Sequence, residues 1–178
     1  MELYQQMLED AVAELREKNA DSLTDARGWS PQINAGAAVM IPESYIPDLN
    51  IRLSLYRRVS EAEKLDDREA LAAELIDRFG PIPNEAEQLL KVVGIKGLCR
   101  EANVAKIDIG PKGAVITFRN DSFSNPVGLI TYTQTQPGWR LRPDQKLMVA
   151  GEWPDAAQRL AAAERVMKDL ARLAAEAA

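Results

Sequence analysis

Leu3, Tyr4, Met7, Leu8, Ala11, Val12 and Leu15 recur at helical spacing, with glutamates and a lysine between them, and predict an amphipathic helix over residues 1–18. No capping residue precedes it, so it is expected to continue a longer helix or a longer protein. Residues 19–32 are polar and turn-rich (Asn19, Asp21, Ser22, Gly28, Pro31) and read as a linker. At Ile33 the pattern changes to alternation. Ile33, Ala35, Ala37, Val39 and Ile41 predict a strand with one buried face, stopped by Pro42 and Pro47.

Three helical stretches follow. The first begins at Asp48, a good N-cap, and runs through Ile51, Leu55, Tyr56, Val59, Ala62 and Glu63. The second starts near Asp66 or Asp67 and ends at Gly80, with Leu71, Leu75, Ile76 and Phe79 read as its core face. Pro83 and Asn84 introduce the third, which carries Ala86, Leu89, Leu90, Val93, Ile95, Leu98 and Ala102. Val104–Ile109 and Ala114–Phe118 then read as strands joined by the turn Gly110-Pro111-Lys112-Gly113. Ser124-Asn125-Pro126 reads as a capped helix start before Val127, Leu129, Ile130 and Tyr132. Residues 139–141 and 146–149 are strand-like. Pro154 opens a final helix with Ala157, Leu160, Ala161, Val166, Met167, Leu170 and Leu173 at helical spacing. The order predicts an α+β fold, a small mixed or antiparallel sheet packed with several helices, not a doubly wound parallel sheet.

The 178 residues are 46% apolar and 28% charged, as in an ordinary globular domain. A net charge of -5 weighs against a nucleic-acid-binding module, which normally carries a basic face. The absence of histidine removes the commonest general base and the commonest ligand of zinc, copper and iron. One cysteine, Cys99, excludes an internal disulfide and fits a reducing compartment. Nothing resembles a signal peptide and no apolar run is long enough to span a membrane, so a cytoplasmic location is expected.

The candidate chemistry is sparse. Gly110-Pro111-Lys112-Gly113 lacks the two-glycine loop and the Lys-Ser/Thr ending of a phosphate-binding loop, and a hairpin turn accounts for it. Residues 60–80 hold seven acidic and three basic side chains. Glu61, Glu63, Asp66, Asp67 and Glu69 could form a carboxylate pair or a hard-cation site, but exposed helix starts attract acids anyway. Cys99 has no histidine to activate it and reads as buried and structural. Arg52, Arg57 and Arg58 form a small basic group, open to a phosphate contact or to pairing with Glu61 or other acids. Glu74, Asp77 and Arg78, at i, i+3 and i+4, share one exposed helical side. They read either as a helix-stabilising ion pair or as a surface for a partner.

Two runs carry a family resemblance. They are Ile46-Pro47-Asp48-Leu49-Asn50-Ile51-Arg52-Leu53-Ser54-Leu55-Tyr56-Arg57-Arg58 and Glu74-Leu75-Ile76-Asp77-Arg78-Phe79-Gly80-Pro81-Ile82-Pro83. Together they resemble the C-terminal domain of the bacterial transcription-repair coupling factor, Mfd. Asn125-Pro126 with Leu129-Ile130 and Gln136-Pro137, and the opening Leu3-Tyr4-Gln5 with Met7-Leu8-Glu9-Asp10-Ala11-Val12, extend the likeness across nearly the whole chain. The stretch from Asn19 to Gln32 matches least.

The resemblance implies residues 1–32 as a helix and linker leaving an upstream motor, and residues 33–178 as a C-terminal regulatory domain. It implies a fragment of an ATP-driven DNA translocase with no cofactor of its own, ATP and magnesium belonging to the parent motor, and no enzyme activity here. The implied partner is the N-terminal UvrB-like module of the same protein, held in competition with UvrA during nucleotide excision repair, without direct nucleic-acid contact or membrane. Partner-binding residues carried over from the family's Glu-Leu-Ile-Asp-Arg-Phe-Gly motif are Glu74, Asp77 and Arg78. Two other classes stay in view: a small acidic enzyme using a carboxylate pair, and a nucleic-acid-contacting tail using Arg52, Arg57, Arg58 and Arg100.

Overall fold

Five strands align one apolar row across a single mixed sheet in the computed structural model, which describes residues 30–176. The sequence-predicted helix over residues 1–18 and nearly all of the linker lie outside those residues. β1 (Gln32–Asn34) runs parallel to β2 (Val104–Gly110), and β2 pairs antiparallel with β3 (Gly113–Phe118). β4 (Trp139–Leu141) occupies the far edge, beside β5 (Leu147–Ala150), giving the order β1-β2-β3-β5-β4. The register places Ile33, Ile107, Ile116, Leu147 and Leu141 side by side. The next row, on the other face, is Asn34, Asp108, Val115, Met148 and Arg140. Gly110 pairs with Gly113, so Pro111-Lys112 is a hairpin tip, as the sequence predicts.

The helices are α1 (Leu49–Glu61), α2 (Leu65–Phe79), α3 (Asn84–Ala102), α4 (Pro126–Thr135) and α5 (Ala156–Glu176). This is the α+β architecture expected. Asp48 caps α1 by accepting from the Ile51 N–H at 3.1 Å, and Asn125 caps α4 by accepting from the Gly128 N–H at 3.0 Å. Each cap satisfies a donor that the first helical turn leaves unpaired.

Two apolar clusters divide the interior. One lies under the sheet and holds Ile95, Cys99, Ile107, Ile116, Leu147, Leu160, Met167 and Leu170. The other is wholly helical and loop-borne: Ile41, Ile46, Leu55, Val59, Leu71, Leu75, Leu90 and Val93. α3 contributes to both, which explains why its apolar residues are spread around the helix rather than confined to one stripe.

Four expectations need correction. The strand predicted from Ile33 to Ile41 pairs only over residues 32–34. Gly36, at φ +67°, turns the chain out of the sheet, and Ile41 belongs to the helical cluster, its N–H donating to the Tyr56 hydroxyl at 2.7 Å. The alternation persists because the segment passes from one cluster to the other. Ile76, read as core, is 53% exposed. In α5, Ala157 and Ala161 face solvent, and Ala162 and Ala163 are buried instead. Arg52, read as part of a surface group, is only 5% exposed. Its guanidinium donates to the carbonyls of Ile46 at 2.7 Å and Pro47 at 3.0 Å, fixing the turn that enters α1.

Candidate functional site

The C-terminal end of α2 carries the candidate residues, and its geometry follows from which flanks the helix buries. Leu71 and Leu75 point into the helical cluster, with Phe79 half-buried one turn further on. Glu74 and Arg78 therefore fall on the flank beside α1, Asp77 lies further toward solvent, and Ile76 takes the opposite flank. Gly80 ends the helix at φ +92° and ψ -167°, a conformation open essentially to glycine. The Tyr45 hydroxyl donates to the Gly80 carbonyl at 2.8 Å and lies 3.1 Å from the Leu75 carbonyl, tying the preceding loop to the end of the helix. The Tyr45 ring meets Phe79 edge-on at 5.9 Å, and burial raises its phenol pKa above the ordinary value.

Arg58, from α1, reaches across to this end. Its Nη1 donates to Glu74 Oε2 at 2.5 Å and its Nη2 to Oε1 at 2.8 Å, a two-point pairing that the planar guanidinium favours. Arg78 Nη1 adds a third bond to Oε2 at 3.2 Å. The Arg78 guanidinium also lies 4.9 Å from the centre of the Phe79 ring, within range of a cation–π contact. The side chains remain 44%, 35% and 46% exposed at Arg58, Glu74 and Arg78 respectively. The hydrogen bonds from Arg58 are the main cause that holds the Glu74 carboxyl down at about 2, from an ordinary 4.5; partial desolvation opposes them and Arg78 adds to them. Asp77 is exposed and has no ion-pair partner among the described residues.

The structure thus brings Glu74 and Arg78 together, leaves Asp77 beside them on open surface, and adds Arg58. Periodicity shows only neighbours within one helix, so a pairing between helices had no i, i+4 signature. Arg58 pairs with an acid of the same chain, as expected, and that acid is Glu74 on the neighbouring helix. The four arginines considered for nucleic acid do not form one surface. Arg52 is buried, Arg100 pairs with Glu63 while largely covered, and Arg58 is engaged by Glu74.

Chemistry at the other candidates is limited. Among the described residues Glu74 is the carboxylate with a large pKa change, and the change makes it a firmer anion, the reverse of what a general acid needs. Cys99 is fully buried, and burial pushes its thiol up to about 12. Among the described residues no group of three or more His, Cys, Asp or Glu side chains is placed to hold a metal ion. No helix there is long and apolar enough to cross a membrane. One shallow cleft lies against Ile33, Ala35, Val92 and Leu160, another over Val115, Trp139, Arg140 and Met148; neither is lined by a carboxylate.

Comparison with known proteins adds to this geometry. Residues 35–129 match the family described as the TRCF domain. The transcription-repair-coupling factor of Rickettsia conorii is 35% identical over 148 residues, covering 83% of this chain and 13% of that protein. Its counterpart in Escherichia coli K12 is 31% identical over 169 residues, covering 94% of this chain and 15% of that protein. The chain therefore spans only about a seventh of the length of these relatives. A crystal structure of the C-terminal domain of transcription-repair coupling factor superposes with a TM-score of 0.61 at 15% identity, covering 80% of this chain and 96% of that one, and shares the fold.

Proposed function

The chain belongs to the TRCF-domain family, and from that premise we propose that it is a regulatory docking domain of a cytoplasmic DNA-repair translocase. In this reading it packs on the N-terminal UvrB-like module of the full-length protein, masks the surface that UvrA binds, and restrains the ATP- and magnesium-dependent motor until polymerase is engaged. The domain itself contributes contacts, not catalysis.

The observation that carries the reading is the charged end of α2: ionised, exposed, and outside both apolar clusters. Exposed ion pairs contribute about 0–1 kcal/mol each, so a cover held by them can be released by a competing event. A large apolar contact would resemble a permanent interface and resist opening. Regulation is then a shift between closed and open populations. Reversing two charges in the full-length protein, Asp77→Lys with Arg78→Glu, is expected to tighten UvrA binding and raise basal translocation on DNA. UvrA affinity and motor activity equal to those of the unmodified protein would overturn the reading.

A further inference from the structure

α3 and α5 cover one face of the sheet, and the opposite face carries the row Asn34, Asp108, Val115, Met148 and Arg140. An antiparallel sheet with one face in water normally alternates apolar and polar positions along each strand. β3 and β5, both interior strands, depart from that pattern. Ala114, Ile116, Leu147 and Val149 are buried on the core side, yet Val115 and Met148 are apolar on the open side too, with Met148 39% exposed. Strands apolar on both faces are the kind that a protein covers on both faces. Beside Val115 and Met148 the next positions are small. Gly113 pairs with Ala150, whose N–H donates to the Gly138 carbonyl at 2.9 Å. With no side chain there longer than a methyl group, a shallow trough opens next to Val115, Met148 and Arg140.

The charges on this face are unequally engaged. Asp108 accepts from Asn34 Nδ2 at 2.9 Å and lies 3.5 Å from Lys106 Nζ, so its carboxylate is already matched. Arg142 is taken by Asp144 at 2.9 Å. Lys112, on the hairpin tip, and Arg140, on the edge strand, line the trough, are exposed, and have no ion-pair partner among the described residues. The trough is therefore locally positive on a chain whose net charge is -5. We infer that this open sheet face is a docking surface separate from the tip of α2, and that its occupant is an acidic protein segment bearing a large apolar side chain. The apolar group seats on Val115 and Met148, whose flexible thioether adapts to its shape. Carboxylates beside it meet Lys112 and Arg140, the arginine through its planar fork of donors. Charge complementarity sets the sign of the partner. Two cations beside an apolar floor are too few for nucleic acid, where affinity follows the number of phosphates neutralised.

The test offers the whole chain short random peptides displayed on phage, with random-sequence duplex DNA as a competitor. The expected selection is of peptides that place Asp or Glu beside a large apolar residue and bind more weakly as salt rises. For a selected peptide carrying a dye, Lys112→Glu and Arg140→Glu are each expected to weaken binding on the order of tenfold, and Met148→Asp by at least as much. Melting temperature reports folding, and the two charge reversals carry the test where Met148→Asp does not fold. Selection of basic or uncharged peptides overturns the inference. So does a selection no stronger than the Arg140→Glu chain gives, or a peptide affinity indifferent to the substitutions. Duplex DNA that displaces the peptide overturns it by making phosphates the ligand. A dimer in sedimentation that Met148→Asp separates overturns it by making a second copy the occupant. Asp77→Lys with Arg78→Glu is expected to leave peptide binding unchanged, so this inference and the docking role proposed for α2 fail separately.

Discussion

Arg58 and Glu74, sixteen residues apart, form a two-point hydrogen-bonded ion pair that ties α1 to α2 at 2.5 and 2.8 Å. The pair sits at the edge of the helical cluster, where one side is protein and the other water. That position has a consequence for acid stability. The folded Glu74 carboxyl titrates at about 2 against an ordinary 4.5, so the folded state binds this proton less readily than the unfolded one. The stabilisation from this group is complete above pH 4.5 and disappears as pH falls toward 2. Melting curves of the chain and of Glu74→Gln are expected to differ by a constant amount from pH 7 down to pH 4.5, and to converge near pH 2. A difference that stays unchanged at pH 2 would show that the charge of Glu74 is not what the substitution removes.

Arg52 and Arg57 look alike in sequence and are expected to behave oppositely. Arg52→Met leaves the carbonyl of buried Ile46, and that of Pro47 beside it, without the guanidinium donor, a cost of about 1–3 kcal/mol. Arg57 is exposed, and Arg57→Met is expected to stay within about 0.5 kcal/mol. Urea midpoints at constant slope measure both. Equal midpoints for the two variants would contradict the burial of Arg52.

Adjacent residues on α2 give a third contrast. Leu75 is 2% exposed and Ile76 53%. Leu75→Ala is expected to cost about 2–5 kcal/mol, whereas Ile76→Gln is expected to change stability by no more than about 0.5 kcal/mol. Thermal unfolding of the two variants separates them, and a destabilised Ile76→Gln would place that side chain in a packed environment.

Local signals were legible wherever one residue satisfies its own neighbourhood. Asp48 and Asn125 announce their caps because the acceptor and the donor lie three residues apart. Gly80 announces a helix end because few other residues tolerate its backbone angles. The failures are long-range. Ile76 has the same apolar character as Leu75, and only the direction from which α1 and α3 approach α2 decides which of them is covered. Arg52 turns inward because carbonyls at Ile46 and Pro47 converge on it, a demand visible only in three dimensions. Alanine carries almost no phase information, so the α5 stripe was set by Leu160, Met167 and Leu170, and Ala161 was placed on the wrong side. Of the candidate site, the residues Glu74, Asp77 and Arg78 were readable from spacing and resemblance. Their unequal hydrogen bonding was not, because its source, Arg58, belongs to another helix.

α3 runs nineteen residues through the middle of the domain, with Leu90 and Val93 lodged among the helices and Ile95, Cys99 and Ala102 among the strands. Melting either half would strip one side of this shared rod, so the halves are expected to come apart together. The same continuity leaves no loop between the two clusters within α3, so a substitution that breaks the helix at its middle is felt on both sides at once.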